Sequence, residues 1–100
     1  MAGGSGFGSF RKGPVVQAVS EVQPGDLLLK YSMQFDAENV VRVIGVGNGI
    51  TEEIFYGCFV DPRDTDKPRE GAGGQFAVWN FDLGTTCQCW RAVEERPRAQ

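Results

Sequence analysis

Three cysteines, two adjacent glutamates, three closely spaced aspartates and one arginine inside an apolar run are the residues whose types could do chemistry in this chain. Cys87-x-Cys89 with Cys58 could supply three thiolates to a metal. Zinc would then need a fourth ligand such as Asp or Glu, which is uncommon, and cysteine is among the residue types most often simply buried. Asp61, Asp64 and Asp66 suggest calcium. Their spacing is not that of an EF-hand, and the interleaved Arg63 and Lys67 fit a solvated loop better. No metal site and no cofactor is assigned.

Glu52-Glu53 opens an apolar strand. Adjacent strand residues point to opposite faces, so one carboxylate could aim inward, where burial would raise its pKa and fit it for acid or base work. The blander alternative sets both in water at a strand end. Arg42, the one charge in VVRVIGV, must pair with a carboxylate, meet an anionic ligand or extend to the sheet edge. Pairing with Glu52 or Glu53 across a hairpin is the structural expectation. Tyr31, Tyr56, Trp79, Phe81 and Trp90 either fill the core or line a pocket. If there is a ligand site, Arg42, Glu53, Tyr56 and Trp79 are its candidate residues, and no catalytic residue is assigned.

The absence of histidine removes Ser-His and Cys-His catalysis and the usual His-based zinc sites. The Gly-rich tracts at 3–6 and 71–74 carry no Lys-Ser or Lys-Thr end, so neither is a phosphate loop. A net charge of −3 argues against nucleic acid as the main partner. No apolar run approaches membrane-spanning length, and an odd cysteine count shows no secreted disulfide framework. A cytoplasmic protein with reduced thiols and no membrane contact is the expectation.

The elements that must position these residues follow from pattern. One hundred residues, 41% hydrophobic, make one domain with a modest core. Residues 1–12 read as a flexible Gly-rich arm, 13–96 as a single small β-rich domain, and 97–100 as a frayed tail. Pro14 followed by Val15, Ala18, Val19 and Val22 fits one face of a short helix, although four valines favour a strand. Pro24-Gly25 is a type II turn pair. Leu27–Phe35 alternates, with Leu27, Leu29, Tyr31, Met33 and Phe35 on the expected buried face and Leu28 the exception. Val40–Val46 reads as a central strand covered on both sides. Asn48-Gly49 predicts a tight hairpin returning through Ile50–Val60, and Gly57 marks a bulge or a close backbone approach. Residues 61–74 form a mobile loop, two prolines and three glycines among them. Gln75–Leu83 resumes alternation. The run from residue 86 to 93 fits a strand slightly better than a helix.

The fold expected is α+β or mostly β: a strongly bent antiparallel sheet of about five strands, as a half-barrel or small barrel, with one short helix. The order of a possible helix, then PGDLLLKYS, then VVRVIGVG resembles the opening of PUA-like barrels of the ASCH and EVE type. That resemblance covers about a third of the chain and implies RNA or modified-base binding in an aromatic-lined pocket. The leading functional expectation is a non-enzymatic binding module for a small ligand or protein partner, working as a homodimer, since a short chain has few elements to cover two partly apolar sheet faces. The alternatives are the PUA-like nucleic-acid binder and a small barrel-type enzyme using Glu52 or Glu53 with Tyr56 or Arg42.

Overall fold

The structure, a computed structural model, describes residues 10–95. The ends of the expected arm and tail, residues 1–9 and 96–100, lie outside the described residues. Residues 10–12, expected in the arm, already belong to the sheet. The protein is mostly β, with a seven-stranded antiparallel sheet and almost no helix. The strands are β1 (Phe10–Val15), β2 (Leu27–Ser32), β3 (Ala37–Asn48), β4 (Glu53–Asp61), β5 (Asp64–Pro68), β6 (Gln75–Trp79) and β7 (Cys89–Glu94). Their order is β1-β7-β2-β3-β4-β5, and β6 pairs with β4 on the same side as β5. Among the described residues the sheet is not closed into a barrel.

The expected helix is absent. Val15 ends β1, the Val16 N–H bonds the Cys89 carbonyl at 2.8 Å, and one 3₁₀ turn follows at Val19–Glu21. Val16, Val19 and Val22 are all buried at three-residue spacing, so the β-branched composition outweighs the helical periodicity. This segment lies over one face of the sheet. There it closes the main core with Leu28, Val41, Val43, Phe55, Val78, Leu83 and Cys89.

Paired residues on neighbouring strands share a face. In β2 the assignment of faces is therefore the reverse of the alternation read from sequence. Leu28, the apparent exception, is fully buried in the main core, whereas Leu27 and Leu29 join a smaller cluster on the second face with Val40, Val60, Phe10 and Ala92. The strand stops at Ser32, and Asp36 turns the chain with a φ of 52°. Met33 beyond it is 86% exposed, and Tyr31 is exposed as well. Strand β3 is covered on both faces only over its middle, from Val40 to Val43, because Ile44 and Val46 are exposed.

The β3–β4 hairpin is not a two-residue turn. Asn48 pairs with Glu53, which leaves four connecting residues, and the Gly49 N–H bonds the Glu52 carbonyl. Gly49 has no positive φ; its role is spatial, since a Cβ there would lie 2.6 Å from the Trp79 ring. Gly25 does adopt the left-handed conformation that the Pro-Gly turn requires, at φ 96°. The 61–74 segment, read as a mobile loop, contains β5. Strand β6 ends at Trp79, where a 3₁₀ turn, Asn80–Asp82, replaces the expected continuation to Leu83.

Candidate functional site

The four candidate ligand residues do not assemble. Arg42 sits on the second face opposite Cys58, while Glu53 pairs with Asn48 at the far end of the same hairpin. The two rungs are roughly 17 Å apart along the strand. Arg42 meets neither glutamate. Its guanidinium pairs with Asp66 at 2.7 Å and donates to the Thr65 carbonyl at 3.2 Å. Glu52 accepts the Phe81 N–H at 3.0 Å and thereby fixes the turn after β6. Tyr56 and Trp79 share the second face, but Trp79 stacks on Phe81 at 6.3 Å and closes over the hairpin end. None of the four lines any of the three surface grooves described among residues 10–95.

The cysteines also separate. Cys58 lies on the second face with the smaller apolar cluster. Cys89 is fully buried in the main core, and Cys87 is partly exposed beside it. Among the described residues, no cluster of His, Cys, Asp or Glu is arranged to hold a metal ion. The aspartates of the 61–66 segment are taken up locally: Asp61 accepts from the Arg63 N–H, Asp64 from the Asp66 N–H, and Asp66 pairs with Arg42.

A different constellation forms on the first face, at the end that the Val16–Val22 segment leaves open. Phe59 and Phe76 stand on the adjacent strands β4 and β6, with ring centroids 5.0 Å apart. Phe35, in the turn after β2, meets Phe59 edge-on at 6.3 Å. The three rings form a row with a cation near each end. The Lys30 ammonium lies 5.5 Å above Phe76 and 5.9 Å from Phe59, and the Arg69 guanidinium lies 4.2 Å from Phe35. Both are cation–π distances.

Lys30 and Arg69 are distinctive for what they lack. Every other Lys or Arg of residues 10–95 has a carboxylate within 4.0 Å; these two do not. The Arg69 Nε is buried and makes no hydrogen bond. Lys30 donates to the neighbouring Tyr31 carbonyl, at 3.3 Å, and favours the Cys87 thiolate. A cation held over aromatic faces with no carboxylate beside it leaves much of its electrostatic demand for a ligand to meet.

Each cation opens on a groove. Lys30, Ser32, Met33, Phe59, Phe76 and Cys87 line the larger, of about 580 Å³. Arg69 shares the other, of about 420 Å³, with Phe10, Leu29 and Phe35. Cys87 is held well below an ordinary thiol, to about 7. The hydrogen bond from the Cys89 thiol is the main cause and Lys30 adds to it, while burial and Asp82 work the other way. Cys89 is pushed up correspondingly, first by that same bond and then by burial.

Sequence reasoning missed this site because its parts are far apart in the chain and none belongs to a motif. Lys30 reads as one more outward-facing residue of an alternating strand, and Phe76 as an irregularity in another. Only the pairing of β4 with β6, which sets Gly57 opposite Phe76, brings the rings together. No protein-family model matches this chain, nor does any curated protein or solved structure. The likeness to PUA-like barrels therefore rests on the quoted residues alone. Among the described residues no helix is long and apolar enough to cross a membrane.

Proposed function

We propose that this chain is a non-enzymatic binding module for a small, planar, anionic molecule, seated in the Lys30 groove against Phe59 and Phe76. The observation that carries the reading is the Lys30 ammonium, held over two aromatic rings and without a carboxylate partner among the described residues. The groove's size is within the range of small-molecule sites, and its lining combines apolar walls with one placed charge. An aromatic carboxylate or sulfonate would stack on the rings and pair its charge with Lys30.

The test uses 8-anilinonaphthalene-1-sulfonate as the probe, followed by fluorescence and calorimetry on the folded protein. Saturable one-to-one binding is expected, weakened roughly ten-fold by Lys30→Met, in keeping with a charge-assisted contact. Arg42→Ala and Trp79→Ala are expected to leave it unchanged. Binding that is non-saturable, or indifferent to Lys30→Met, would sink the reading.

The nucleic-acid alternative draws on the same rings, since a base can stack where a planar ligand would and Lys30 could meet a phosphate. Its separate signature is steeply salt-dependent binding of a short oligouridine. The net charge of −3 favours the small ligand. The acid/base alternative has less support: it needs Glu52 or Glu53 beside Tyr56 or Arg42, whereas Glu52 accepts from the Phe81 N–H and Arg42 pairs with Asp66. The proposed homodimer would bury Ile44, Val46 and Phe81, which are exposed near the β3–β4 hairpin end. Sedimentation showing a monomer at tens of micromolar would remove that part without touching the ligand site.

A further inference from the structure

The Lys30 groove contains a nucleophile for which ligand binding has no use. Cys87 lines it and is partly exposed. Cys89, two residues on, pairs across the sheet with Lys30 and sets its sulfur 3.6 Å from the Cys87 carbonyl. Cys58 is on the opposite face of the sheet, packed with Leu27, Leu29 and Val60. The three thiols thus have three different environments: one opens on the groove beside an ammonium, one is sealed, and one is on the far side.

We propose that Cys87 is a thiol–disulfide exchange site that accepts small anionic disulfides, of the glutathione-disulfide type, in the Lys30 groove and retains the mixed disulfide. The Cys87 thiolate attacks one sulfur of the small disulfide. That S–S bond breaks, one small thiolate leaves, and a new S–S bond joins Cys87 to the other half. The small disulfide is itself the oxidant, so the electrons balance without a further acceptor. Lys30 supplies the preference for anions, because no carboxylate among the described residues pairs with its ammonium.

The depressed Cys87 pKa supplies the thiolate near neutral pH. Retention follows from Cys89, the neighbouring thiol that could displace the adduct. It is fully buried and held protonated, so it attacks slowly. The inference depends on the groove's geometry and not on which ligand the groove takes. Exchange and ligand binding are read separately, by adduct mapping and by probe fluorescence, and can therefore fail separately.

The test treats the full chain with 5,5′-dithiobis(2-nitrobenzoate), a dianion, and with cystamine, a dication, each rate being normalised to that of free 2-mercaptoethanol. The normalised rate is expected to favour the dianion, and Lys30→Met to slow it roughly three-fold or more while sparing cystamine, as expected when thiolate fraction and local charge fall together. Peptide mapping of the wild-type chain after exposure to oxidised glutathione is expected to place the adduct on Cys87. An adduct mainly on Cys58, or a dianion-to-dication ratio unmoved by Lys30→Met, overturns the proposal. The mapping uses the wild-type chain, so it does not depend on any variant folding.

Discussion

Single residues here are constrained by close approach as much as by polarity. A Cβ on Gly57 would lie 2.7 Å from the Val41 Cγ1 and 3.5 Å from the Phe76 ring. Both neighbours are held by strand pairing, so neither can simply swing away. Gly57→Ala is expected to cost about 1–3 kcal/mol, as overpacking of a filled core does, read as a lower denaturant midpoint at unchanged slope. Cys87 provides the pH-dependent prediction. Its folded pKa is lowered to about 7, so its thiolate favours the folded state above the ordinary thiol pKa and that contribution is lost as pH falls through 7, while Cys89, pushed up by the same bond, works against it at high pH. Alkylation of Cys87 by iodoacetamide is expected to titrate with a midpoint near that value. The Cys89 thiol and Lys30 favour the thiolate and Asp82 opposes it, so Lys30→Met should raise the midpoint. A midpoint at the ordinary thiol value would contradict this arrangement.

At the scale of elements, the contrast between β5 and the strands beside it matters most. Strand β5 has a mixed-charge sequence, DTDKP, and presents mainly exposed side chains. It is attached to β4 by limited pairing and to Arg42 through Asp66, which is 84% exposed. An exposed pair of this kind contributes little, so Asp66→Ala is expected to change global stability by less than about 1 kcal/mol. Amides of β5 are expected to exchange faster than those of β3 and β4, whose first-face side chains fill the main core. Protection of β5 equal to that of β4 would count against this ranking. The Pro24-Gly25 turn is better secured. Asp26 accepts from Arg91 at 2.8 Å and from the Gln23 N–H at 3.0 Å, tying the start of β2 to β7.

For the whole molecule, β7 is the strand on which the order of the sheet depends. It lies between β1 and β2, so the first and last described strands are neighbours. A chain ended after Gln88 would lose Cys89 from the core, leave β1 without its partner and open an edge on β2. Such a truncation is expected to abolish the near-ultraviolet dichroism and the cooperative melt; a cooperative transition in the truncated chain would refute this dependence. Small domains have little stability to spare for the loss of a strand that joins two others.

The sequence by itself determined the class of fold, because turn chemistry and β-branched runs act locally. Pro24-Gly25, the β-rich span from Leu27 to Val60, the strand after residue 86 and the close approach at Gly57 could all be read from neighbours in the chain. It also determined what chemistry is absent, since a chain with no histidine cannot build a His-based site anywhere. Tertiary structure alone decided which face of β2 meets the core, because alternation defines two faces and does not say which one another segment covers. It decided as well that Val16–Val22 crosses the sheet face with a single 3₁₀ turn and no α-helix, that Gly49 makes room for Trp79 rather than a left-handed turn, and that Arg42 meets Asp66 rather than Glu52 or Glu53. The row of Phe35, Phe59 and Phe76 between Lys30 and Arg69 is the clearest case. Its members come from separate strands and turns, and their meeting is fixed by long-range strand register, a property that no local pattern of residues encodes.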